Sequence, residues 1–319
     1  AGFVAGGLVG INNSTGISNC YYNIETVEGL NAAGQGSQGG ENVLGLTTVQ
    51  MVGTTALQNM IFTPGIYVSD EDRGMDADYA PQLRELSQMS AGEGKNTGID
   101  EIIRNFSKQS VMLRLFGRDI HNPMDWGSES NPYLISTYDH LDTLSKQVAA
   151  GHDYTGCYFL VTADITVQPG FLSIGSYNIN DITQNRIFNG VFDGDGHTIH
   201  NLVLGGPESA LSQGLFGYTG AQSVIKNIII GSGHIQAMEK AGSVVGYSLG
   251  EITRCLSRAT VEGHTSIGGI AGQLRANQIS HCLFEGDIYA DSDYYGGIVG
   301  RLEDGGAGIY NCWFLLDLD

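Results

Sequence analysis

Four copies of one short sequence recur in this chain, and their spacing constrains the fold more than any single residue does. Each copy has a Gly-Gly-apolar-apolar-Gly turn, with Ser243 replacing the second glycine in one case, followed six to nine residues later by Ile-x-x-Cys. A fifth, weaker copy begins at Gly214 and has Ile228 where the others have cysteine. Self-similarity at a nearly fixed period predicts stacked coils.

The isoleucines of this motif measure the length of one coil. Ile225, Ile252, Ile279 and Ile309 are 27, 27 and 30 residues apart, and each is followed nine or ten residues later by another apolar residue. The following apolar residues are Ile235, Val261, Ile288 and Leu318. A coil of about 27 residues accommodates three short strands with their turns. The spacing therefore predicts an all-β parallel β-helix, that is, a solenoid.

Composition and charge restrict the function classes. The chain has 47 Gly, only 6 Pro and 15% charged residues, which favours a turn-rich solenoid over a helical enzyme. A formal net charge of -19 disfavours nucleic acid as a partner. No run of about 18 apolar residues is present, so membrane insertion is not expected. The chain lacks an initiator Met and begins within a repeat, so we expect a mature or excised part of a longer protein.

The cysteines of the motif are expected to stack inside the solenoid. Cys255, Cys282 and Cys312 hold equivalent positions in successive coils, which predicts side chains roughly 4.8 Å apart along one inward face. Free, buried thiols are favoured over disulfides, because Ile228 holds the same position and free cysteine packs as a small apolar group. Metal binding is disfavoured, since one ligand per coil along a line does not make a tetrahedron.

A short helix is predicted before the coils. Thr137 is a favourable start, Leu141, Leu144 and Val148 fall on one face, and Gly151 ends the run. Such an amphipathic helix would cover one open end of the solenoid, where apolar surface and unpaired backbone would otherwise be exposed.

These motifs resemble those of the GLUG repeat family of bacterial and archaeal surface proteins. The Gly-Gly-Leu-Val-Gly turn at residues 6–10 with its Ile-x-Asn-Cys strand is similar to the family repeat. The opening text of such a module matches residues 131–199, and its closing text matches residues 19–51, followed by a Tyr-Ala-Pro-Gln-Leu-Arg ending at residues 79–84. The resemblance implies a right-handed parallel β-helix outside the cell, in adhesins, envelope proteins and stalks of secreted proteases. It implies little about a ligand.

The closing text precedes the opening text, and this order divides the chain into three regions. Residues 1–88 are interpreted as the terminal coil and tail of one solenoid unit, 89–125 as a connector and 126–319 as a capped β-helix with the repeats. The connector has a helical pattern, because its apolar residues fall on one helix face. These residues are Ile99, Ile102, Ile103, Phe106 and Leu113.

The two ends of the chain are in register with each other. Within the repeats, Val261 lies seven residues before the next glycine pair, which begins at Gly268. If Ala1 of one copy followed Asp319 of another, Leu318 would lie seven residues before the glycine pair at Gly6 in the same way. We therefore hypothesise that each chain completes a coil begun by another copy, either a separate subunit or another period of one long polypeptide. Head-to-tail contacts of this kind build an open filament. A chance break within a repeat is the alternative. The residues predicted to form the self-assembly surface are Phe3, Leu8, Val9, Ile17, Ile309, Cys312, Phe314, Leu316 and Leu318.

No catalytic residue is predicted. Parallel β-helices host glycosidase sites in which carboxylates from adjacent coils converge. The candidate acids are Glu251, Glu262, Glu285, Asp287, Asp291 and Asp293. No two of them fall in one column in a way that suggests a pair, and no arginine is expected beside them, so a solvated acidic face is predicted. His-Glu-x-x-His is absent from the sequence, and His197 and His200 are expected to be structural.

Signals for ligand binding are weak. The Asp193-Gly194-Asp195-Gly196 stretch resembles part of a calcium loop, but a tight turn stabilised by aspartate is favoured. The acidic tract at Asp70–Asp78 could collect divalent cations, although a solvated loop is favoured there too. Tyr294 and Tyr295 lie beside acids in a turn of a kind that can stack on a sugar ring. No cofactor is predicted, and calcium is the single weak candidate.

The sequence therefore predicts a non-catalytic extracellular structural or adhesin-like protein at the cell surface or envelope. Its expected partners are other copies of itself, head-to-tail, and glycans or a host surface. Two alternatives remain open. One is a carbohydrate-binding or carbohydrate-active β-helix, and the other is the stalk domain of a larger secreted protease.

Overall fold

The computed structural model describes residues 5–50 and 127–315. Within these ranges the description omits residues 15, 26–28, 48–49, 206–210, 292–293 and 304–305. The predicted helical connector and the acidic tract at 70–78 lie outside the described residues, so both stay predictions.

The described chain consists mainly of short β-strands, named here in chain order. The N-terminal segment contains β1 (Ala5–Gly6), β2 (Val9–Asn12), β3 (Gly16–Ser18), β4 (Cys20–Asn23), β5 (Ala33–Gly36) and β6 (Val43–Leu46). After residue 127 come β7 (Tyr133–Ile135), β8 (Tyr158–Val161), β9 (Ile165–Thr166), β10 (Val191–Asp193), β11 (Thr198–His200), β12 (Leu202–Leu204), β13 (Ser212–Gln213) and β14 (Phe216–Thr219). The remaining strands are β15 (Val224–Lys226), β16 (Ile229–Ile230), β17 (Gly233–Ala237), β18 (Lys240–Ala241), β19 (Val245–Ser248), β20 (Glu251–Thr253), β21 (Leu256–Ser257), β22 (Thr260–Gly263), β23 (Ile267–Gly268), β24 (Ala271–Leu274), β25 (Gln278–Ser280), β26 (Leu283–Phe284), β27 (Ile288–Ala290), β28 (Tyr295–Gly296), β29 (Val299–Leu302), β30 (Gly308–Tyr310) and β31 (Trp313–Phe314).

These strands form five sheets. Their orders are β1-β28-β23-β18-β13, β3-β30-β25-β20-β15-β10-β8-β7, β6-β4-β31-β26-β21-β16-β11-β9, β12-β17-β22-β27 and β14-β19-β24-β29-β2-β5. Through the repeats, neighbouring strands in a sheet differ by five in number, so each repeat contributes one strand to every sheet. All pairings between these named strands are parallel. The fold is therefore all-β with parallel sheets, as predicted.

The predicted register of the repeats is confirmed. Ile225 pairs with Ile252, Ile252 with Ile279, and Ile279 with Ile309. Ile235, Val261 and Ile288 form a second column of the same kind. Isoleucine and valine dominate because inward positions in successive strands must pack against identical neighbours above and below. The 27-residue spacing thus corresponds to one repeat of the sheets.

The cysteines stack inward, as predicted. Cys255, Cys282 and Cys312 are fully buried, Ile228 is equally buried, and the described cysteines are all free. Cys20 from the N-terminal segment extends this stack beyond Cys312. Burial raises the pKa of the Cys255, Cys282 and Cys312 thiols well above the ordinary value, because the thiolate would lose its hydration. These thiols therefore act as small apolar core groups.

One α-helix is described, α1 (Tyr138–Ala149), and it matches the predicted capping helix. Thr137 caps its N-terminus by accepting a hydrogen bond from the His140 N–H, while Leu141, Leu144 and Val148 are fully buried. These three residues belong to the same core as Ile135 on β7, the edge strand of its sheet. The helix thus covers the core at this edge. A 3-10 turn, Ile182–Gln184, lies in the loop that follows β9.

The residue before each cysteine of the motif turns the chain in the left-handed conformation. Asn19, Asn311, His281 and Arg254 have φ angles of 50°, 52°, 55° and 53°. Asparagine tolerates this region better than most residues do, which explains the Ile-x-Asn-Cys text. Successive corners are also linked through side chains, since Asn311 Nδ2 lies 3.0 Å from His281 Nε2.

No helix in the described ranges is long and apolar enough to cross a bilayer.

Candidate self-joining surface and surface groove

The N-terminal repeat stacks on the last C-terminal repeat, and we call this contact the joint. It pairs residues 5–23 with residues 295–314. β1 pairs with β28, β2 with β29, β3 with β30 and β4 with β31, and all four pairs are parallel. The predicted register between the two ends is therefore confirmed. In the structure of a single chain, both sides of the joint belong to that chain.

The interior of the joint continues the columns of the stacked repeats. Ile17 pairs with Ile309, and Cys20 lies next to Cys312 in the thiol stack. Leu8 and Val9 are fully buried, and the amide groups of Ile298 and Val299 both donate to the Leu8 carbonyl. The joint therefore has the same apolar core and the same ladder as two consecutive repeats.

Polar groups at the rim of the joint also find partners across it. Ser14 Oγ donates to the Ala307 carbonyl at 2.6 Å, and the Asn13 amide donates to the Leu302 carbonyl at 3.0 Å. The Asn311 amide donates to the Ser18 carbonyl at 3.1 Å. Satisfied backbone groups on both sides are what a continuous sheet requires.

Six of the nine residues predicted for self-assembly lie in the joint. Leu8, Val9, Ile17, Ile309, Cys312 and Phe314 are buried there. Phe3, Leu316 and Leu318 lie outside the described residues. β5 and β6 continue the sheets beyond the N-terminal repeat by pairing with β2 and β4.

An aromatic residue missing from the sequence prediction explains the second glycine of the motif. The rings of Tyr22, Phe314 and Phe284 stand over Gly7, Gly297 and Gly269, and a β-carbon on any of these glycines would collide with the ring. The repeat with serine at this position, Ser243, has Ser257 in place of the aromatic residue. The sequence carries this exchange as a signal, because the two positions are 14 to 17 residues apart in every copy.

The expectation that no arginine lies beside the candidate acids was wrong. Arg258 Nε donates to Glu285 Oε2 at 2.8 Å, and Glu285 is buried. The two residues are 27 positions apart, which is one repeat, so stacking places their side chains side by side. Glu285 is thereby part of a structural ion pair between neighbouring repeats.

The other candidate acids are distributed unevenly. Glu262 and Asp291 border one groove with a volume of about 610 Å³. Glu251 lies on β20, in a different sheet from Glu262, and accepts a hydrogen bond from Gln278 at 3.3 Å. The backbone carbonyl oxygen of Asp287 accepts a hydrogen bond from the Val261 amide at 2.8 Å. Asp293 lies outside the described residues.

The groove lies along β17, β22 and β27 and combines acceptors with apolar side chains. Glu262 accepts from Gln236 Nε2 at 3.1 Å and lies 2.9 Å from His234 Nε2. Asp291 pairs with His264 in the same way. Tyr289 and Met238, which are 58% and 46% exposed, also border the groove.

The Asp193–Gly196 stretch forms the tight turn that the sequence favoured. Asp193 Oδ1 accepts from the Asp195 amide at 2.9 Å and from Asn227 Nδ2 at 2.8 Å, while its other oxygen lies 3.1 Å from Lys226 Nζ. Desolvation, with the negative charge of Asp193 adding to it, raises the pKa of Asp195 to about 7. His197 lies 3.2 Å from Asp164. Within the described ranges, no group of three or more His, Cys, Asp or Glu side chains could hold a metal ion.

No family model matches this chain. Among curated proteins, halomucin from Haloquadratum walsbyi is 25% identical over 201 residues, which cover 54% of this chain and 2% of halomucin. Among solved structures, a provisionally assigned immunoglobulin A1 protease from Bacteroides ovatus is 24% identical, with a TM-score of 0.48. That match covers 58% of this chain and 57% of the solved chain.

Proposed function

We propose that this chain is a non-catalytic structural or adhesin-like element of an extracellular surface, in which copies join head-to-tail through the joint. In this proposal the parallel sheets wind as a right-handed β-helix of the GLUG type. The observation that carries the proposal is the in-register pairing of residues 5–23 with residues 295–314.

The joint has the properties of an exchangeable contact. Its two sides are far apart in the sequence, and its N-terminal side is a short segment whose pairing partners are the last repeat and the strands β5 and β6. Exchange of an identical element between copies preserves every contact and is a low-cost route to association. A copy that places residues 5–23 on the last repeat of its neighbour would make the same sheets as a copy that closes on itself.

The two sides of the joint are different surfaces, and this determines the kind of assembly. Residues 5–23 pair with residues 295–314, so copies that join through these two surfaces would make a heterologous contact. Heterologous contacts that do not close by rotation build open chains. In such an open row of copies, the β-helix axis would continue from one copy to the next, with strands about 4.8 Å apart.

The extracellular assignment and the lack of catalysis rest on separate support. The resemblance of the repeat sequence to the GLUG family supports an extracellular localisation. Two of the candidate acids link neighbouring repeats, since Glu285 pairs with Arg258 and Glu262 accepts from Gln236. A structural role accounts for these links without a reaction.

The joint is tested by mixing two variants that can form a disulfide only across it. Ser18 and Tyr310 are paired in register on β3 and β30, at a separation that a disulfide can span. A Ser18→Cys chain and a Tyr310→Cys chain are unfolded together, refolded at high protein concentration and oxidised. We expect a disulfide-linked dimer on non-reducing gels and linear particles in electron micrographs of the wild-type protein.

Two controls make the result decisive. The Ser18→Cys, Tyr310→Cys double variant reports closure within one chain, because it forms an intramolecular disulfide at low concentration. A Thr260→Cys chain carries its new thiol in another sheet and is expected to give no dimer with Ser18→Cys. Monodisperse monomers at every concentration, with a disulfide only in the double variant, would refute joining between copies.

A further inference from the structure

The groove along β17, β22 and β27 has an outward column of three side chains suited to a chain-like ligand. Gln236 is paired with Glu262, and Glu262 is paired with Tyr289, so one side chain from each repeat stands in line. Adjacent strands are about 4.8 Å apart, so the column is about 10 Å long. The inward positions of the same strands, such as Ile235 and Val261, belong to the core, which holds the column rigid.

Small residues beside this column also border the groove. Ala237, Gly263 and Ala290 are paired in register across the three strands and line the groove. A β-carbon on Gly263 would collide with the Ala237 carbonyl oxygen, so the packing of the strands itself requires glycine there. The groove is therefore a fixed feature of the stack with a volume of about 610 Å³.

The carboxylates of the groove are held in position and keep acceptor capacity. Glu262 is oriented by Gln236 on one oxygen and by His234 on the other, and Asp291 is oriented by His264. A carboxylate offers about four acceptor sites, so each retains free lone pairs for hydroxyl donors. Amide and imidazole groups beside them add further donors and acceptors.

Tyr289 supplies an apolar face next to these acceptors. Its side chain is 58% exposed, whereas Ile235 and Val261 on the neighbouring strands are buried in the core. An aromatic ring with an open face stacks on the C–H face of a sugar ring, while carboxylates and amides bind the hydroxyl groups around the ring edge. Met238, also exposed, provides a second apolar contact at the same groove.

Charge limits the ligand further. Among the described residues that line the groove there is no lysine or arginine, and the whole chain has a net charge of -19. Anionic polysaccharides and nucleic acids are therefore repelled. We propose that this groove binds a neutral glycan chain, with Tyr289 as the stacking platform and Glu262 and Gln236 as hydroxyl partners.

The groove and the joint meet at Tyr295 on β28, which borders the groove and pairs with Ala5. The proposed glycan contacts, Tyr289, Glu262 and Gln236, lie on β17, β22 and β27, which the joint does not use, so glycan binding can be tested separately from joining. The test is calorimetric titration of the full chain with three neutral hexasaccharides: cellohexaose, maltohexaose and N-acetylated chitohexaose. We expect at least one of them to bind. Tyr289→Ala is expected to weaken that binding about tenfold, which is the scale of one aromatic stacking contact, and Tyr289→Phe to retain it.

A matched control separates the groove from general surface effects. Val203→Ala removes an equally exposed apolar side chain from β12, outside the groove, and is expected to leave binding unchanged. Thermal unfolding of each variant verifies that it is folded, and light scattering follows its association state. The proposal is overturned if no neutral hexasaccharide binds, if Tyr289→Ala binds as the wild type does, or if only a cationic chitosan hexamer binds and salt abolishes that binding.

Discussion

The ring of Tyr22 fills the space in which a side chain at position 7 would lie. Gly7 does not have a positive φ angle, so the requirement for glycine comes from the aromatic ring and not from the backbone conformation. The same relationship links Gly297 with Phe314 one repeat away, on the other side of the joint. The Gly-Gly signature of the repeat is therefore half of a packing pair.

Gly7→Ala is expected to destabilise the protein by about 1–3 kcal/mol, the usual cost of an extra methyl group in a filled core. The added methyl group would meet the ring of Tyr22. In a Tyr22→Ser background the same change should cost far less, because the ring is gone. Denaturant unfolding of the four proteins of this double-mutant cycle measures the coupling.

Ser243→Ala is the matched control for that cycle. Ser243 has no aromatic partner, since Ser257 occupies the equivalent position, and its Oγ donates to the Gly269 carbonyl at 2.5 Å. The substitution should cost only the hydrogen bond, about 0.5–1.5 kcal/mol. Equal costs of Gly7→Ala with and without the Tyr22 ring would contradict the packing explanation.

Asp195→Asn is expected to stabilise the protein at pH 8 and to have little effect at pH 4. The pKa of Asp195 is raised from 3.8 to about 7 in the folded state, so the folded protein binds more protons than the unfolded chain between these values, and stability falls as pH rises through this range. We expect a gain on the order of 1–2 kcal/mol at pH 8, allowing for solvent screening. Unfolding curves at the two pH values measure it.

Asp193→Asn should have the opposite effect at pH 8. Asp193 accepts hydrogen bonds from Asn227 and from the Asp195 amide and pairs with Lys226, so loss of its charge weakens the turn. A stabilisation by Asp195→Asn that is equal at pH 4 and pH 8 would show that charge is not the cause.

His281 should make the folded protein less stable as pH falls below 6.5. Burial, with the positive charge of Arg254 adding to it, lowers the pKa of His281 below its ordinary value of 6.5. The unfolded chain takes up a proton first as pH falls, so the stability present above pH 6.5 is lost as pH falls through the lowered pKa. His281→Asn, which tolerates the φ of 55° at this corner, should reduce the pH dependence of the unfolding free energy between pH 7 and pH 5.

The slope of the unfolding free energy between pH 7 and pH 5 is the quantity to compare between the wild type and His281→Asn. A slope that His281→Asn leaves unchanged would rule out His281 as the titrating group.

The thiol stack is expected to report how the joint opens. Cys157 is only half buried, so a thiol reagent should modify it first in the native protein. Cys20 and Cys312 should follow on a slower time scale that reflects opening of the joint, and Cys255 and Cys282, inside the stack, should react last. Time-resolved alkylation with mass spectrometry of the peptides measures the order. Simultaneous modification of Cys20 and Cys255 would indicate that the joint opens only by global unfolding.

The periodic core was predictable because burial imposes the same residue types at the same position of every repeat. The columns of Ile252 and Cys282 and the register between the two ends followed from this periodicity. The helix from Tyr138 followed instead from its N-terminal cap, Thr137, and from its one apolar face. The pair of Arg258 and Glu285 was missed, although its spacing is one repeat. The groove column at Glu262 and Tyr289 could not be predicted, because solvent imposes no pattern on outward positions.

The sequence by itself determined the stacking. Glycines, β-branched residues and cysteines recur at the period of one repeat, and parallel stacking of the repeats buries all the equivalent apolar residues together. Only the tertiary structure showed that the N-terminal repeat fits on the last repeat strand by strand. In it the N-terminal repeat lies on residues 295–314 of the same chain. The physical reason is that the two sides of the joint are complementary whether they belong to one chain or two, so local sequence cannot distinguish the connections. The contact of an aromatic ring with Gly7, Gly269 or Gly297 likewise became visible only in the tertiary structure, although the sequence carries the matching exchange to Ser243 and Ser257.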